Sequence, residues 1–318
     1  METSSVDGWR DPRVHGWWEP PPYDRELTAE IVRRVLRDQF PQLAEGSVEF
    51  HGWGCEYDAY LVDERWLFRF PRHSGVGNGF EWEAASIERV AAAVGDAFRV
   101  PHVSLWGAPS AHFPYRFFGG VFIPGVGSDH PTAPWAPELA DDLGRALRLL
   151  HSIPFTAEEK AEAAATPYSC RDPRDGTLWC LEQLPPIRAL APTEWAWLED
   201  ESIVPREFTG EPRFIHGDLH PEHILVDRLT GRLTGIVDWG PTIGDPARDF
   251  EFLVIARGQS FLERALRAYG LPFDEELIAR SVYFARVRSL GWLADAVRRG
   301  VSIDNEMQIV RRTFANES

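Results

Sequence analysis

The stretch from Phe214 to Phe250 restricts what this chain can fold into more than any other part of it. It reads Phe-Ile-His216-Gly217-Asp218-Leu219-His220-Pro221-Glu222-His223-Ile-Leu-Val-Asp227. After Gly231 it continues to Gly235-Ile-Val-Asp238-Trp239-Gly240 and then Gly244-Asp245-Pro246-Ala-Arg248-Asp249-Phe250. Two apolar runs, Ile224 to Val226 and Leu233 to Val237, flank a turn that ends in Gly231, and that pattern predicts a hairpin. Folding about Leu229–Thr230 sets Asp238 roughly opposite Pro221 to His223, with Asp218 on the loop that enters the first strand. Two carboxylates and an imidazole then meet at one end of a small sheet, although Asp218 and Asp238 lie twenty positions apart.

Such a set matches the needs of phosphoryl transfer, where the protein mainly positions groups and neutralises charge. One carboxylate orients the acceptor hydroxyl and takes its proton. A second carboxylate and a neutral ligand hold the magnesium that bridges the nucleotide phosphates. Asp218 suits the first role, because the preceding glycine permits a tight loop beside the strand Arg213–Ile215. Asp238 and His223 suit the second. In the protein-kinase catalytic loop an Asp is followed five residues later by an Asn, and a metal-binding Asp lies on the next strand. Here His223 stands five residues after Asp218, and Asp238 closes the hairpin.

His-Gly-Asp-Leu-His-Pro-Glu-His-Ile-Leu, Ile-Val-Asp-Trp and Gly-Asp-Pro-Ala-Arg-Asp together resemble the motifs of the aminoglycoside phosphotransferase family of small-molecule kinases. His at 223, where Asn is commoner, is similar to the branch that holds the macrolide kinases and the aminoglycoside 2''-kinases, which often favour GTP. The resemblance implies an α+β, bilobal, protein-kinase-like fold. It further implies ATP or GTP as phosphoryl donor, Mg2+ as cofactor, Asp218 as catalytic base, and His223 and Asp238 as metal ligands. Asp249 would buttress the catalytic loop, although Asp245 and Asp249 also read as acids that bind the acceptor.

Other readings of the same residues stand beside these. Three of the ten His fall within eight residues, which raises a zinc site at His216, His220 and His223. Pro221 breaks any helix that would align them, and no Cys is near. His216 reads as a structural His bonded to the loop backbone, and His220 has no role beyond the loop.

The 318 residues suffice for two lobes with full cores. Residues 1–24, with Trp9, Trp17, Trp18 and Pro20 to Pro22, read as an irregular arm. Thr28 N-caps an expected helix from Ala29 to Phe40, stopped by Pro41. Strands are expected at Gly46–Gly52, Ala59–Val62 and Trp66–Phe70, a helix at Glu81–Val94, and a further strand at Phe117–Pro124. From Glu138 the pattern is mostly helical apart from the hairpin. The lobes divide near Ile123-Pro124-Gly125: an N-terminal nucleotide-binding lobe over 25–123 and a C-terminal catalytic and acceptor-binding lobe over 124–318.

In the kinase arrangement the strand Trp66–Phe70 carries a Lys paired with a Glu of the next helix. Arg69 fills that place here, with Glu83 as its expected partner and Glu81 as the competitor. The loop Gly52 to Ala59 lacks the kinase glycine fingerprint and reads equally as a plain hairpin turn. Gly119 to Gly125 resembles the family's hinge, where backbone groups of Gly119, Val121 and Ile123 would read the purine edge.

The net charge of −16, from 33 basic and 49 acidic residues, argues against nucleic acid or an anionic membrane as partner and suits a cationic acceptor. No apolar run spans a bilayer, and the three Cys form neither a metal spacing nor a disulfide framework, so a cytoplasmic monomer is expected. The leading expectation is an enzyme that phosphorylates a hydroxyl of an aminoglycoside and so confers antibiotic resistance. A macrolide 2'-phosphotransferase is the alternative, with Trp135, Trp179, Trp195, Trp197 and Trp292 as candidates for an apolar cleft. An inert binding protein that kept the kinase fold is the lesser one.

Overall fold

In the computed structural model of the chain the described residues are 24, 26–43, 45–54, 56–76, 80–165, 174–183, 185–205, 208–240, 242–273 and 276–315. The Trp- and Pro-rich arm thus lies outside them, Asp24 excepted. So do Cys55, Cys170 and the side chains of Phe80 to Glu83. The chain separates into two compact units. One comprises the described residues up to Ala91 with Val100–Pro124; the other comprises Ala92–Arg99 and the residues from Gly125 onward.

The first unit begins with α1 (Ala29–Gln39). Thr28 caps it by accepting from Ile31 N–H at 3.3 Å, and Val32, Val35 and Leu36 form its buried stripe. A five-stranded antiparallel sheet follows, built from β1 (Val48–Trp53), β2 (Tyr57–Val62), β3 (Trp66–Pro71), β4 (Leu105–Gly107) and β5 (Phe117–Val121), in the order β1-β2-β3-β5-β4. Helix α2 (Phe80–Val94) lies between β3 and β4 in the chain. Asp63 and Glu64 join β2 to β3 with φ of 53° and 52°. Both residues lie in the left-handed region that a tight hairpin turn needs to match strand twist.

Alternation in β3 sends Phe68 and Phe70 into the core and Arg69 to the other face. The core is largely aromatic: Phe70 stacks on Phe117 with centroids 4.5 Å apart, and Phe40, Phe68 and Phe113 meet Phe117 edge-on or tilted.

In the second unit β6 (Val126–Gly127), β8 (Ile224–Val226) and β9 (Leu233–Ile236) form one antiparallel sheet, and β7 (Arg213–Ile215) pairs with β10 (Thr242–Gly244). The backbone of Arg99, in this same unit, exchanges hydrogen bonds with Thr234 and Ile236 and makes a single parallel bridge beside β9. The helices are α3 (Glu138–Leu150), α4 (Ala157–Ala165), α5 (Arg174–Gln183), α6 (Pro192–Glu199), α7 (Ala247–Arg257), α8 (Gln259–Tyr269), α9 (Leu277–Arg299) and α10 (Asp304–Phe314).

Helix α7 has no polar face, with Ala247 and Asp249 to Ile255 all buried, because α8, α9 and α10 pack round it. Helix α3 approaches α8 closely at Gly144, where a Cβ would come within 2.1 Å of the Ala265 carbonyl oxygen. The β8–β9 hairpin is fastened to α3 by Asp142, whose carboxylate takes Arg232 through two hydrogen bonds of 2.6 and 2.7 Å. No helix among the described residues is long and apolar enough to cross a membrane.

Phe117 is fully buried and touches four other rings, so Phe117→Ala removes the centre of the first unit's core. A loss of about 3–5 kcal/mol is expected in urea unfolding followed by tryptophan fluorescence. A loss under about 1 kcal/mol would contradict this packing.

Candidate active site

The loop that carries Asp218 leaves β7 at His216 and turns at Gly217, whose φ of 79° favours glycine. One buried carboxylate holds that turn. Asp249 Oδ2 accepts from His216 N–H at 2.9 Å, and Oδ1 accepts from Gly217 N–H at 2.8 Å. Oδ2 also takes His151 Nε2–H at 3.0 Å, and His151 Nδ1 lies 2.8 Å from the Tyr269 hydroxyl. Burial works to raise the Asp249 carboxyl, but the hydrogen bond and charge of His151, with His216 and Gly217, outweigh it and hold it below the usual value. Burial likewise pushes the Tyr269 hydroxyl up.

His216 binds the loop to the hairpin. Its Nδ1 accepts from Asp218 N–H at 3.3 Å, and its Nε2–H donates to the Val237 carbonyl at 3.1 Å. A neutral ring satisfies both contacts, in keeping with a pKa lowered chiefly by burial. The Asp218 side chain is 57% exposed, and its Oδ1 lies 3.0 Å from His220 Nε2. Partial enclosure by the loop acts to raise this carboxyl. The His220 interaction, with the neighbouring His223 and His216 imidazoles, prevails and lowers it to about 2.

A short 3-10 turn, Pro221–His223, then presents His223. Ser128 steadies this turn, since its N–H and hydroxyl both donate to the Pro221 carbonyl, at 2.9 and 2.8 Å. His223 Nδ1–H donates to the Asp218 carbonyl at 2.8 Å, which leaves Nε2 to face Asp238. It lies 3.2 Å from Asp238 Oδ2. Val237 N–H donates to the His223 carbonyl and draws the two strand ends together. Asp238 has a φ of 62°, an uncommon backbone for a residue with a side chain and one that concentrates at functional sites. Asp218, His223 and Asp238 are thus brought together as the hairpin pattern predicts.

The three-His zinc reading does not form. The His216 and His220 rings are centred 6.1 and 5.6 Å from that of His223, and each is occupied by other partners. Among the described residues no three His, Cys, Asp or Glu side chains group round a metal position. Asp245 is also withdrawn as an acceptor-binding acid, because Arg280 takes both its oxygens, at 2.7 and 3.1 Å. Asp249, fully buried in the loop clamp, cannot meet an acceptor.

In the first unit β3 sets Arg69 across from Ala59 and Phe118, with its guanidinium 4.4 Å from the Tyr57 ring and 5.5 Å from that of Phe118. Glu83 falls on α2, but its side chain, like that of Glu81, lies outside the described residues. Of the expected purine readers, Gly119 loses its carbonyl, which accepts from Ser104 N–H at 3.0 Å inside the sheet. Val121, half exposed at the end of β5, and Ile123 just beyond it remain.

Two residues with clear contacts escaped the sequence reading. His151, at the C-terminal end of α3, carries no spacing that links it to Asp249, ninety-eight positions away. His220 was left without a role, yet it meets Asp218 on one side and the rings of Phe252 and Trp292 on another. Of the other Trp, Trp195 is core, Trp197 packs on that core, and Trp135 and Trp179 are exposed.

The model of the phosphotransferase enzyme family matches residues 47–280. A sequence relative, "Uncharacterized protein YcbJ" of Bacillus subtilis (strain 168), is 26% identical over 266 residues, or 77% of this chain and 82% of that protein. Among solved structures, the GDP and kanamycin complex of APH(2")-IIia superposes with a TM-score of 0.66 at 24% identity, over 90% of this chain and 99% of that one. The macrolide 2'-phosphotransferase MphH from Brachybacterium faecium superposes with a TM-score of 0.55 at 22% identity, over 91% and 99%. At these identities the structural likeness is one of fold.

Asp249→Ala leaves His151 Nε2–H and two loop N–H groups buried without their acceptor. A loss of at least about 3 kcal/mol in chemical denaturation is expected. Because the folded carboxyl is depressed, its stabilisation is complete above the unfolded value of about 3.9 and is lost only as pH falls through the lower folded value. The difference between parent and variant should therefore be flat from pH 7 to 5 and shrink below about pH 4. A difference that grows on acidification would contradict the clamp.

Proposed function

We propose a reaction for a chain that belongs to the phosphotransferase enzyme family and is a nucleotide-dependent small-molecule kinase: transfer of the terminal phosphoryl group of ATP or GTP to a hydroxyl of an aminoglycoside antibiotic. The observation that carries it is the pair of His223 Nε2 and Asp238 Oδ2, 3.2 Å apart, beside an exposed Asp218 carboxylate.

The spacing of the pair suits magnesium, with the Asp238 carboxylate as the hard oxygen donor and the His223 imidazole as a softer one. Two adjacent octahedral ligands at about 2.1 Å from one ion stand about 3.0 Å apart, close to the spacing here. With Nδ1 committed to the Asp218 carbonyl, His223 turns Nε2 towards the Asp238 carboxylate, and a cation held between them would take both as ligands. Few protein ligands suffice, since magnesium keeps waters and takes phosphate oxygens. When bound it would neutralise charge on the phosphates. Asp218 would orient the acceptor hydroxyl and take its proton, Arg69 with Glu83 would hold phosphate, and the Val121 and Ile123 backbone would read the purine.

The acceptor class rests on charge: a net −16 favours a polycation. A macrolide is the second reading, and it has its own support. The partly buried Trp292 ring packs on His220 of the Asp218 loop, while the acids Asp245 and Glu251 are already neutralised by Arg280, Arg248 and Arg288.

Asp218→Asn should lower kcat by about 10²–10⁴ while nucleotide still binds; parental turnover would remove Asp218 from the role. Asp238→Ala should abolish magnesium-dependent nucleotide binding in calorimetry, and His223→Ala should weaken it less. Zinc in place of magnesium on elemental analysis would defeat that metal assignment.

Ionic strength separates the acceptors, with kanamycin and erythromycin assayed at saturating nucleotide. A polycation held by carboxylates weakens as the Debye length shortens from about 10 Å, whereas a buried apolar ring barely responds. A KM for kanamycin that climbs steeply with salt supports the aminoglycoside. Turnover of erythromycin with a salt-indifferent KM supports the macrolide.

A further inference from the structure

We infer that His220 positions the Asp218 carboxylate, holding Oδ1 so that Oδ2 is the oxygen presented to the acceptor hydroxyl. The inference rests on Asp218 being the base proposed above and adds a residue to that machinery.

Asp218 follows a positive-φ glycine on a loop, and its side chain is largely exposed, so nothing in its own burial selects one rotamer. A base that wanders loses the alignment on which proton transfer depends. The structure supplies one restraint on that carboxylate, the 3.0 Å contact from His220 Nε2. With an ionised carboxylate opposite at this distance, the inference makes Nε2 the protonated nitrogen. No partner of Oδ2 is found among the described residues.

The donor is itself held. The His220 ring packs on Phe252 with centroids 4.6 Å apart and on Trp292 at 5.2 Å, and its backbone N–H donates to the Asp218 carbonyl at 2.8 Å. Phe252 is fully buried on α7 and carries the Arg288 guanidinium 4.9 Å from its ring, while buried Glu251 pairs with Arg288. A line of packed groups thus runs from the interior of α7 to the exposed carboxylate.

The rival explanation is that His220 matters only as a ring filling the space beside Phe252 and Trp292. Two variants separate the ideas. His220→Phe keeps a ring and loses the donor; His220→Gln keeps an N–H at about the same reach and loses the ring. With GTP, magnesium and kanamycin as probe substrates, His220→Phe should lower kcat about tenfold or more and leave KM for GTP within about twofold, and His220→Gln should recover most of the loss. Parental kcat in His220→Phe overturns the inference, as does a loss in both variants that follows their melting temperatures.

A measurement independent of any acceptor keeps the test separate from the proposed reaction. In long-range 1H–15N spectra of the imidazoles, His220 Nε2 should carry a proton, and its resonance should shift in Asp218→Ala. An unprotonated Nε2, or a resonance that does not move, overturns the inference. Should kanamycin fail as a substrate, the acceptor reading falls and these spectra still decide the role of His220.

Discussion

The site depends on one buried anion. Asp249 sits on a helix with no solvent face, and its two oxygens take the amides of His216 and Gly217 and the imidazole of His151. Burying a carboxylate is costly unless its hydrogen bonds are complete, and here three donors meet it. That geometry defines where the loop turns and therefore where Asp218 emerges. His216 carries the constraint onward, because its two ring nitrogens join the Asp218 amide to the Val237 carbonyl at the end of the hairpin. The proposed base and the proposed metal ligands accordingly share one frame.

Exposure is divided by role along that frame. Asp249, His216 and Glu251 are buried and paired, while Asp218 and Asp238 end the frame with carboxylates more than half open to solvent. The buried members maintain shape and the open ones stand at the solvent boundary, where each meets an imidazole. The same contrast applies to the acidic residues of the Gly-Asp-Pro block. Asp245 and Asp249 look alike in the sequence and stand four residues apart, yet one is closed by Arg280 and the other by the loop it supports. A net charge of −16 therefore overstates the negative potential near the loop, where Arg248, Arg280 and Arg288 neutralise the nearest acids. This local balance is what keeps a macrolide in contention against the polycation that the overall charge favours.

Much of this was legible before any coordinates. The β8–β9 hairpin follows from two apolar runs about Gly231, and once it folds, chain connectivity alone brings Asp238 to His223. Likewise the alternation of β3 puts Arg69 on the face opposite Phe68 and Phe70, and Thr28 and Pro41 bracket α1. These features are local: strand period, turn chemistry and helix capping act over a few residues and leave their mark in the order of side chains. The family motifs extended that reading to the chemistry.

What only the tertiary structure decided are the partnerships across long separations. His151 reaches Asp249, Arg280 closes Asp245, Ser104 takes the Gly119 carbonyl, and Phe252 with Trp292 hold His220. None of these pairs has a characteristic spacing, because each is made by the packing of separate helices and strands, and many sequences satisfy the same packing. The sequence by itself determined which groups converge; the packing decided which of them are closed off by burial and ion pairs. The physical reason is that burial and pairing belong to the assembled core, whereas strand and turn preferences belong to the local chain.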